Sequence, residues 1–199
     1  MAGIEQAATR PASDRVDELL RAACRVIVSD GAHALRIGSV AVEAGVSRTL
    51  VHYYFSTRQE LLRAAFAFAE DRRAEALEAE LAQLTTGAEK AERALLRTIE
   101  PSLEATPALW NEVWSSLRDD LELGPLVRER YRGWVERVVR LLEAGREDGS
   151  VPDSIVADAA GWRLAATADG LESILYLGLL DSAQARALLV SSVERELAS

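Results

Sequence analysis

The stretch Ile37–Ser56, IGSVAVEAGVSRTLVHYYFS, constrains the fold of this chain more tightly than any other. Val40, Ala41 and Ala44 recur at helical spacing and define a short amphipathic run. Gly45 ends that run, because glycine tolerates the positive φ of a sharp turn between helices. Val46 fits the angle of the turn, and Ser47 offers a side-chain oxygen to cap a second helix over Arg48 to Phe55. On that helix Val51, Tyr54 and Phe55 are predicted to face inward, and Arg48, Thr49, His52 and Tyr53 outward. A small residue at Ala41, a glycine four residues later and an apolar residue at Val51 suit two helices that cross steeply. The pattern is that of a helix-turn-helix, whose second helix is shaped to enter a major groove.

An ordinary αα-hairpin satisfies the same short pattern, so the flanks decide. Upstream, an amphipathic helix buries Val16, Leu19, Leu20, Ala23, Val26 and Ile27 and stops at Ser29-Asp30-Gly31. Downstream, Phe55 to Leu62 reads as a tight turn, a cap and a new helix. That helix opens at Ser56 or Thr57, each with a capping-box partner three residues on, Gln59 or Glu60. Residues 14–66 resemble the DNA-binding domain of the TetR family of transcriptional regulators. The matching features are Gly31, Val40-Ala41, Ala44-Gly45-Val46-Ser47, Tyr54-Phe55 and Ser56 to Leu62.

The resemblance implies a double-stranded DNA operator as partner. Arg48, Thr49, His52 and Tyr53 would face the groove, Ser47, Tyr53 and Arg58 would lie nearer the phosphates, and Arg36 completes the set. Four positions depart from the family. Arg36 stands where a threonine or serine usually caps the second helix, Thr49 replaces a frequent glycine, His52 a tyrosine and Arg58 a lysine. These changes leave the scaffold intact and alter the contact chemistry.

Only 12 glycines and 5 prolines among 199 residues, with alanine, leucine, glutamate and arginine dominant, favour an all-α chain. Helix 4 is predicted to run to about Leu84 and helix 5 from about Ala88 to Glu100, stopped by Pro101. Helix 6 follows Thr106-Pro107 and ends near Arg118, and helix 7 starts between Asp120 and Leu126 and ends at Asp148-Gly149. Helix 8 follows Pro152-Asp153 and extends to about Leu180, and helix 9 covers Ser182 to Leu197. About nine helices result, behind a polar arm over residues 1–12. Residues 1–60 form the expected three-helix helix-turn-helix DNA-binding domain, and residues 61–199 a larger helical bundle for ligand binding and dimerisation. Trp110 to Trp114, Tyr131 to Leu142 and Asp169-Gly170-Leu171 resemble the C-terminal domain of the BetI-like subgroup of the family.

The net charge of −9 is unevenly spread. Residues 1–60 carry seven arginines and seven acids, and residues 61–199 carry 16 cations and 25 acids. The acidic balance argues against indiscriminate nucleic-acid affinity of the whole chain. A neutral head implies modest, salt-sensitive binding through placed contacts. The lone Cys24 allows no intramolecular disulfide, residues 1–14 lack the regions of a signal peptide, and Ile174 to Leu180 is too short to cross a bilayer. A cytoplasmic protein with no membrane segment is expected.

All four tryptophans fall in the larger module, with Trp110 and Trp114 one helical turn apart and Tyr131 and Trp134 likewise. An aromatic stripe of this kind serves either as core or as the wall of a cavity. Given the resemblance, Phe66, Trp110, Trp114, Tyr131, Trp134 and Trp162 are the candidate lining for a small-molecule effector, a cationic or lipophilic one. Asp169 interrupts a small-apolar run, either as a ligand anchor or paired with an arginine or a backbone group. Gly161, Gly170 and Gly178 suit close approach of helices. The last two helices carry more apolar surface than one packing face uses, which predicts a homodimer through residues about 153–197.

Catalysis finds no support. His33 and His52 have no serine or cysteine beside them in a nucleophile–base arrangement, and no zinc-ligand spacing, nucleophile elbow or phosphate-binding loop occurs. No metal and no cofactor are expected. Two functional classes remain: a ligand-responsive transcriptional regulator, and a helical small-molecule-binding or interaction protein that has lost operator binding.

Overall fold

The computed structural model describes residues 12–100 and 107–198. Of the arm expected over residues 1–12 only Ala12 is described, as the first residue of a helix, and the stop at Pro101 and the cap at Thr106 lie outside the described residues. Among those described, nine α-helices and no strand occur: α1 (Ala12–Asp30), α2 (Ile37–Ala44), α3 (Arg48–Tyr54), α4 (Arg58–Leu81), α5 (Gly87–Ile99), α6 (Pro107–Ser116), α7 (Leu123–Asp148), α8 (Ala157–Tyr176) and α9 (Ser182–Leu197). A single 3-10 turn, Ala32–Ala34, links α1 to α2.

The helices pack as two compact units, Met1–Arg72 with Leu103–Gly124, and Arg73–Ser102 with Pro125–Ser199. The division expected from sequence, at residue 60/61, is one of roles. The division by packing falls at Arg72/Arg73 and assigns α6 to the first unit. In that unit Leu19, Ala23 and Ile27 of α1 are buried together with Val40, Val51, Phe55, Leu61, Leu62 and Phe66. Each large apolar side chain taken fully out of water there contributes about 1.5–3 kcal/mol. In the second unit Leu95 of α5, Val138 and Leu142 of α7, Leu164 and Ala168 of α8 and Leu189 and Val193 of α9 form one continuous core.

Local chemistry fixes the helix ends. Thr57, rather than Ser56, caps α4: its Oγ1 accepts the Glu60 N–H at 3.1 Å, and Glu60 reaches back to the Ser56 N–H at 2.7 Å. Asp120 starts α7, since Oδ1 accepts the N–H groups of Glu122 and Leu123, each at 3.2 Å. The α5 N-terminus is capped twice. Thr86 and Glu89 form a capping box, while Asp148 accepts the Gly87 N–H at 2.7 Å and Ser150 the Ala88 N–H at 3.1 Å. Hydrogen bonds to Asp148 from Ser150, whose N–H lies 2.9 Å from Oδ1, and from the Gly87 N–H hold its carboxyl below the usual aspartate range.

Two expectations change. α8 stops at Tyr176 instead of about Leu180. Gly178 takes φ 69°, and the Gly178 and Leu179 N–H groups turn back to the carbonyls of Leu175 and Ile174. The apolar run of Leu177 to Leu180 imitates a helix in sequence but forms a turn. Among the glycines expected at close helix contacts, only Gly161 fits, with an added Cβ 2.6 Å from Val139 Cγ2. A Cβ at Gly170 or Gly178 meets nothing within 4 Å.

Candidate DNA-binding face and effector site

The turn between α2 and α3 is built from its residues upward. Gly45 adopts φ 67°, so the Val46 N–H reaches the Ala41 carbonyl at 2.9 Å and closes the end of α2. Ser47 is extended, and its Oγ accepts the Leu50 N–H at 3.2 Å, capping α3. Val51 and Phe55 are buried and Tyr54 is half-buried. Arg48, Thr49, His52 and Tyr53 all stand exposed, Tyr53 at 80%.

Two details qualify that face. The Arg48 guanidinium lies over Gly38, where an added Cβ would come within 3.2 Å of it. Tyr53 packs edge-on to Tyr54 with ring centroids 5.0 Å apart. Arg36 is exposed and extended before α2 and makes no side-chain cap, so the departure from a capping residue leaves that helix start uncapped by its own side chain.

Arg58 takes a place that its sequence position does not foretell. Nε donates to the Leu35 carbonyl at 3.0 Å, and Nη2 to Glu112 of α6 at 2.5 Å. α6 is fastened nearby by Trp110, which meets the buried Phe66 edge-on at 4.9 Å and donates Nε1–H to Glu70 at 3.2 Å. Farther along α4, Arg63 Nη1 donates to both carboxylate oxygens of Asp120, each at 2.8 Å, and Nη2 meets Glu122 at 2.8 Å. Neither Glu112 nor Asp120 stood out in the sequence, where each is one acid among many.

The aromatic residues expected around an effector form two clusters, one in each unit. Phe66, Trp110 and Trp114 make the first; Phe66 is core, whereas Trp114 is 51% exposed. In the second, Tyr131 meets Trp134 edge-on at 5.5 Å and stacks on Trp162 at 6.3 Å. The Tyr131 hydroxyl donates a short hydrogen bond to Asp169, so this acid is paired with a phenol rather than with an arginine or a backbone group. Burial raises the Asp169 pKa above the ordinary aspartate value, opposed by the Tyr131 hydrogen bond and the Arg73 charge. Burial also raises the Tyr131 pKa, with Asp169 acting in the same direction, so the phenol keeps its proton. Trp134 Nε1–H is buried and meets no acceptor among the described residues. Beside this cluster, a groove of about 460 Å³ runs between α7 and α8, lined by Arg132, Glu136, Arg140, Asp158 and Trp162 with Val135 and Val139.

The helix-turn-helix geometry coincides with a family match over residues 19–65, described as bacterial regulatory proteins, tetR family. A second match, to the BetI-type transcriptional repressor C-terminal domain, covers residues 88–198, more than half of the chain. The chain belongs to the TetR family. It is a DNA-binding transcriptional regulator.

Solved structures repeat the fold of this TetR-family chain. A transcriptional regulator from Saccharomonospora viridis in complex with choline is 25% identical, with a TM-score of 0.81 over 92% of this chain and 96% of that one. A TetR transcription regulator from Haloarcula marismortui is 21% identical, with a TM-score of 0.78 over 92% and 98%. FadR from Bacillus subtilis, in complex with stearoyl-CoA, is 21% identical, with a TM-score of 0.66 over 90% and 96%. No curated protein matches the chain. Among the described residues no group of His, Cys, Asp and Glu is placed to hold a metal ion, and no helix is long and apolar enough to cross a membrane.

Proposed function

We propose that the chain is a ligand-responsive repressor that binds a palindromic operator in the cytoplasm as a homodimer and is released by a small-molecule effector. The exposed row Arg48, Thr49, His52 and Tyr53, on a helix capped by Ser47 and turned by Gly45, carries this reading. An arginine facing guanine in the groove supplies about 1–3 kcal/mol of discrimination. The dimer is assigned to residues about 153–197. Its support is the exposed apolar side chains there, among them Trp162, Tyr176, Leu177 and Leu188. A symmetric dimer calls for half-sites one helical turn, or a multiple, apart.

The test is binding to DNA from upstream of the protein's own gene. Two chains per palindrome are expected, and Arg48→Ala should relax sequence preference by about 1–3 kcal/mol. Binding with no preference over mixed-sequence DNA would instead favour a ligand-binding protein without an operator. Unchanged preference in Arg48→Ala would move the recognition surface elsewhere.

For the effector we infer a cationic head group held by Tyr131, Trp134, Trp162 and Asp169. Ring faces and a carboxylate attract a cation together, and a neighbour of this fold at 25% identity contains choline. Ligand and operator must then oppose each other reciprocally, and about 1.4 kcal/mol of differential binding gives a tenfold loss of operator affinity. Choline, used as the probe, is expected to change tryptophan fluorescence saturably. The change should weaken as pH falls through the raised pKa of Asp169, because protonation removes the counter-charge. An undiminished response in Asp169→Asn would take the cation away from this carboxylate.

A further inference from the structure

Arg58 is placed between two demands. At the start of α4 it follows the recognition helix by only four residues, where a cation serves the DNA backbone. Yet its guanidinium is committed within the protein, through Nε to the Leu35 carbonyl and through Nη2 to Glu112. Leu35 lies two residues before α2, so the first bond ties the guanidinium to the helix-turn-helix. Glu112 belongs to α6, outside the DNA-binding helices, and its side chain is only 18% exposed against 33% for Arg58. Glu112 Oε1 also accepts from the Ser116 hydroxyl at 3.4 Å, which steadies the carboxylate on its own helix.

We propose that Glu112 competes with the DNA backbone for Arg58, so that α6 sets operator affinity without touching DNA. The carboxylate and a phosphate oxygen ask for the same guanidinium edge, and one must give way to the other. The contest matters because the head has no surplus of positive charge: residues 1–60 hold seven arginines against seven acids. Removing one cation from such a surface removes a large share of its attraction for phosphate. A shift of α6 along the start of α4 then loosens or tightens the grip on Arg58. The motion is thereby converted into a change in the number of phosphates neutralised. The inference rests on Arg58 lying on the phosphate side of the head.

The experiment measures the salt dependence of binding to sonicated mixed-sequence DNA, for which the operator need not be known. Glu112→Gln keeps the shape of the side chain and removes its charge. It is expected to tighten binding by up to about fivefold per chain and to steepen the logarithmic salt slope by about 0.9 per chain bound. Arg58→Ala should flatten the slope, and the double variant Arg58→Ala/Glu112→Gln should match Arg58→Ala alone. Circular dichroism and melting of each variant confirm the fold, and the slope comparison is restricted to folded protein. An unchanged affinity and slope in Glu112→Gln overturns the proposal, as does weaker binding at an unchanged slope, which would make Glu112 a support for the head. An unaltered slope in Arg58→Ala overturns the phosphate role of Arg58 itself, and the competition with it.

Discussion

Gly87→Ala is expected to destabilise the protein by about 3 kcal/mol or more. A Cβ at Gly87 would lie 2.1 Å from the Gly145 nitrogen, 2.4 Å from the Gly145 Cα and 2.6 Å from the Leu141 carbonyl oxygen. All three are backbone atoms, so no side chain can swing aside, and the start of α5 must lift off α7. Lifting it also breaks the hydrogen bonds from Gly87 to Asp148 and from Ala88 to Ser150. At roughly 2–4 °C per kcal/mol for a chain of this size, the melting temperature should fall by about 6–12 °C. Gly133→Ala is the control, since a Cβ there meets nothing within 4 Å and the position lies inside α7. It should be neutral or stabilise by about 0.5–1 kcal/mol. Equal melting temperatures for Gly87→Ala and the parent would mean that α5 and α7 do not touch at this crossing.

Asp120→Ala is the second change with a large expected effect, a loss of about 3–5 kcal/mol in urea unfolding. The side chain is 4% exposed, takes Arg63 Nη1 on both of its oxygens and accepts the N–H groups of Glu122 and Leu123 where α7 begins. Alanine leaves the Arg63 charge, itself only 23% exposed, with Glu122 alone. Glu122 is 77% exposed, so Glu122→Ala should cost under about 1 kcal/mol. If the two substitutions cost the same, the buried pair is not what holds the start of α7 to α4.

What was legible in the sequence is what local chemistry encodes. Ser47, Gly45 and Val51 act on neighbours within a few residues, so spacing alone assigned the cap, the turn and the inward face. The helical pattern of the larger unit was legible for the same reason, through apolar periodicity and the breaks at Gly149 and Pro152. The misplaced end of α8 shows the limit, because Leu177 to Leu180 has helical composition and only the φ of Gly178 ends the helix. Contacts between distant residues left no such trace. Arg58 with Glu112, Arg63 with Asp120 and Gly87 with Asp148 join residues 54, 57 and 61 apart. Nothing in periodicity selects one acid from 32 as a partner. Arg58 reads in sequence as a cation beside α3, and the Glu112 carboxylate that it meets comes from α6.

The assignment of α6 to the N-terminal packing unit has a consequence for how such proteins diversify. α6 rests against α1 and the turn that follows it, although it comes in the chain long after α3. A recombination that exchanged only the first sixty residues between two regulators would therefore import a new α1 surface and retain the old α6 against it. The imported Arg58 would face an inherited residue at position 112. Arg48, Thr49, His52 and Tyr53, the proposed DNA-facing row of α3, stand exposed, so point changes there leave the packing of α6 untouched. Exchange of the whole head, by contrast, must carry a second, distant segment with it if the packing of α6 on α1 is to be kept.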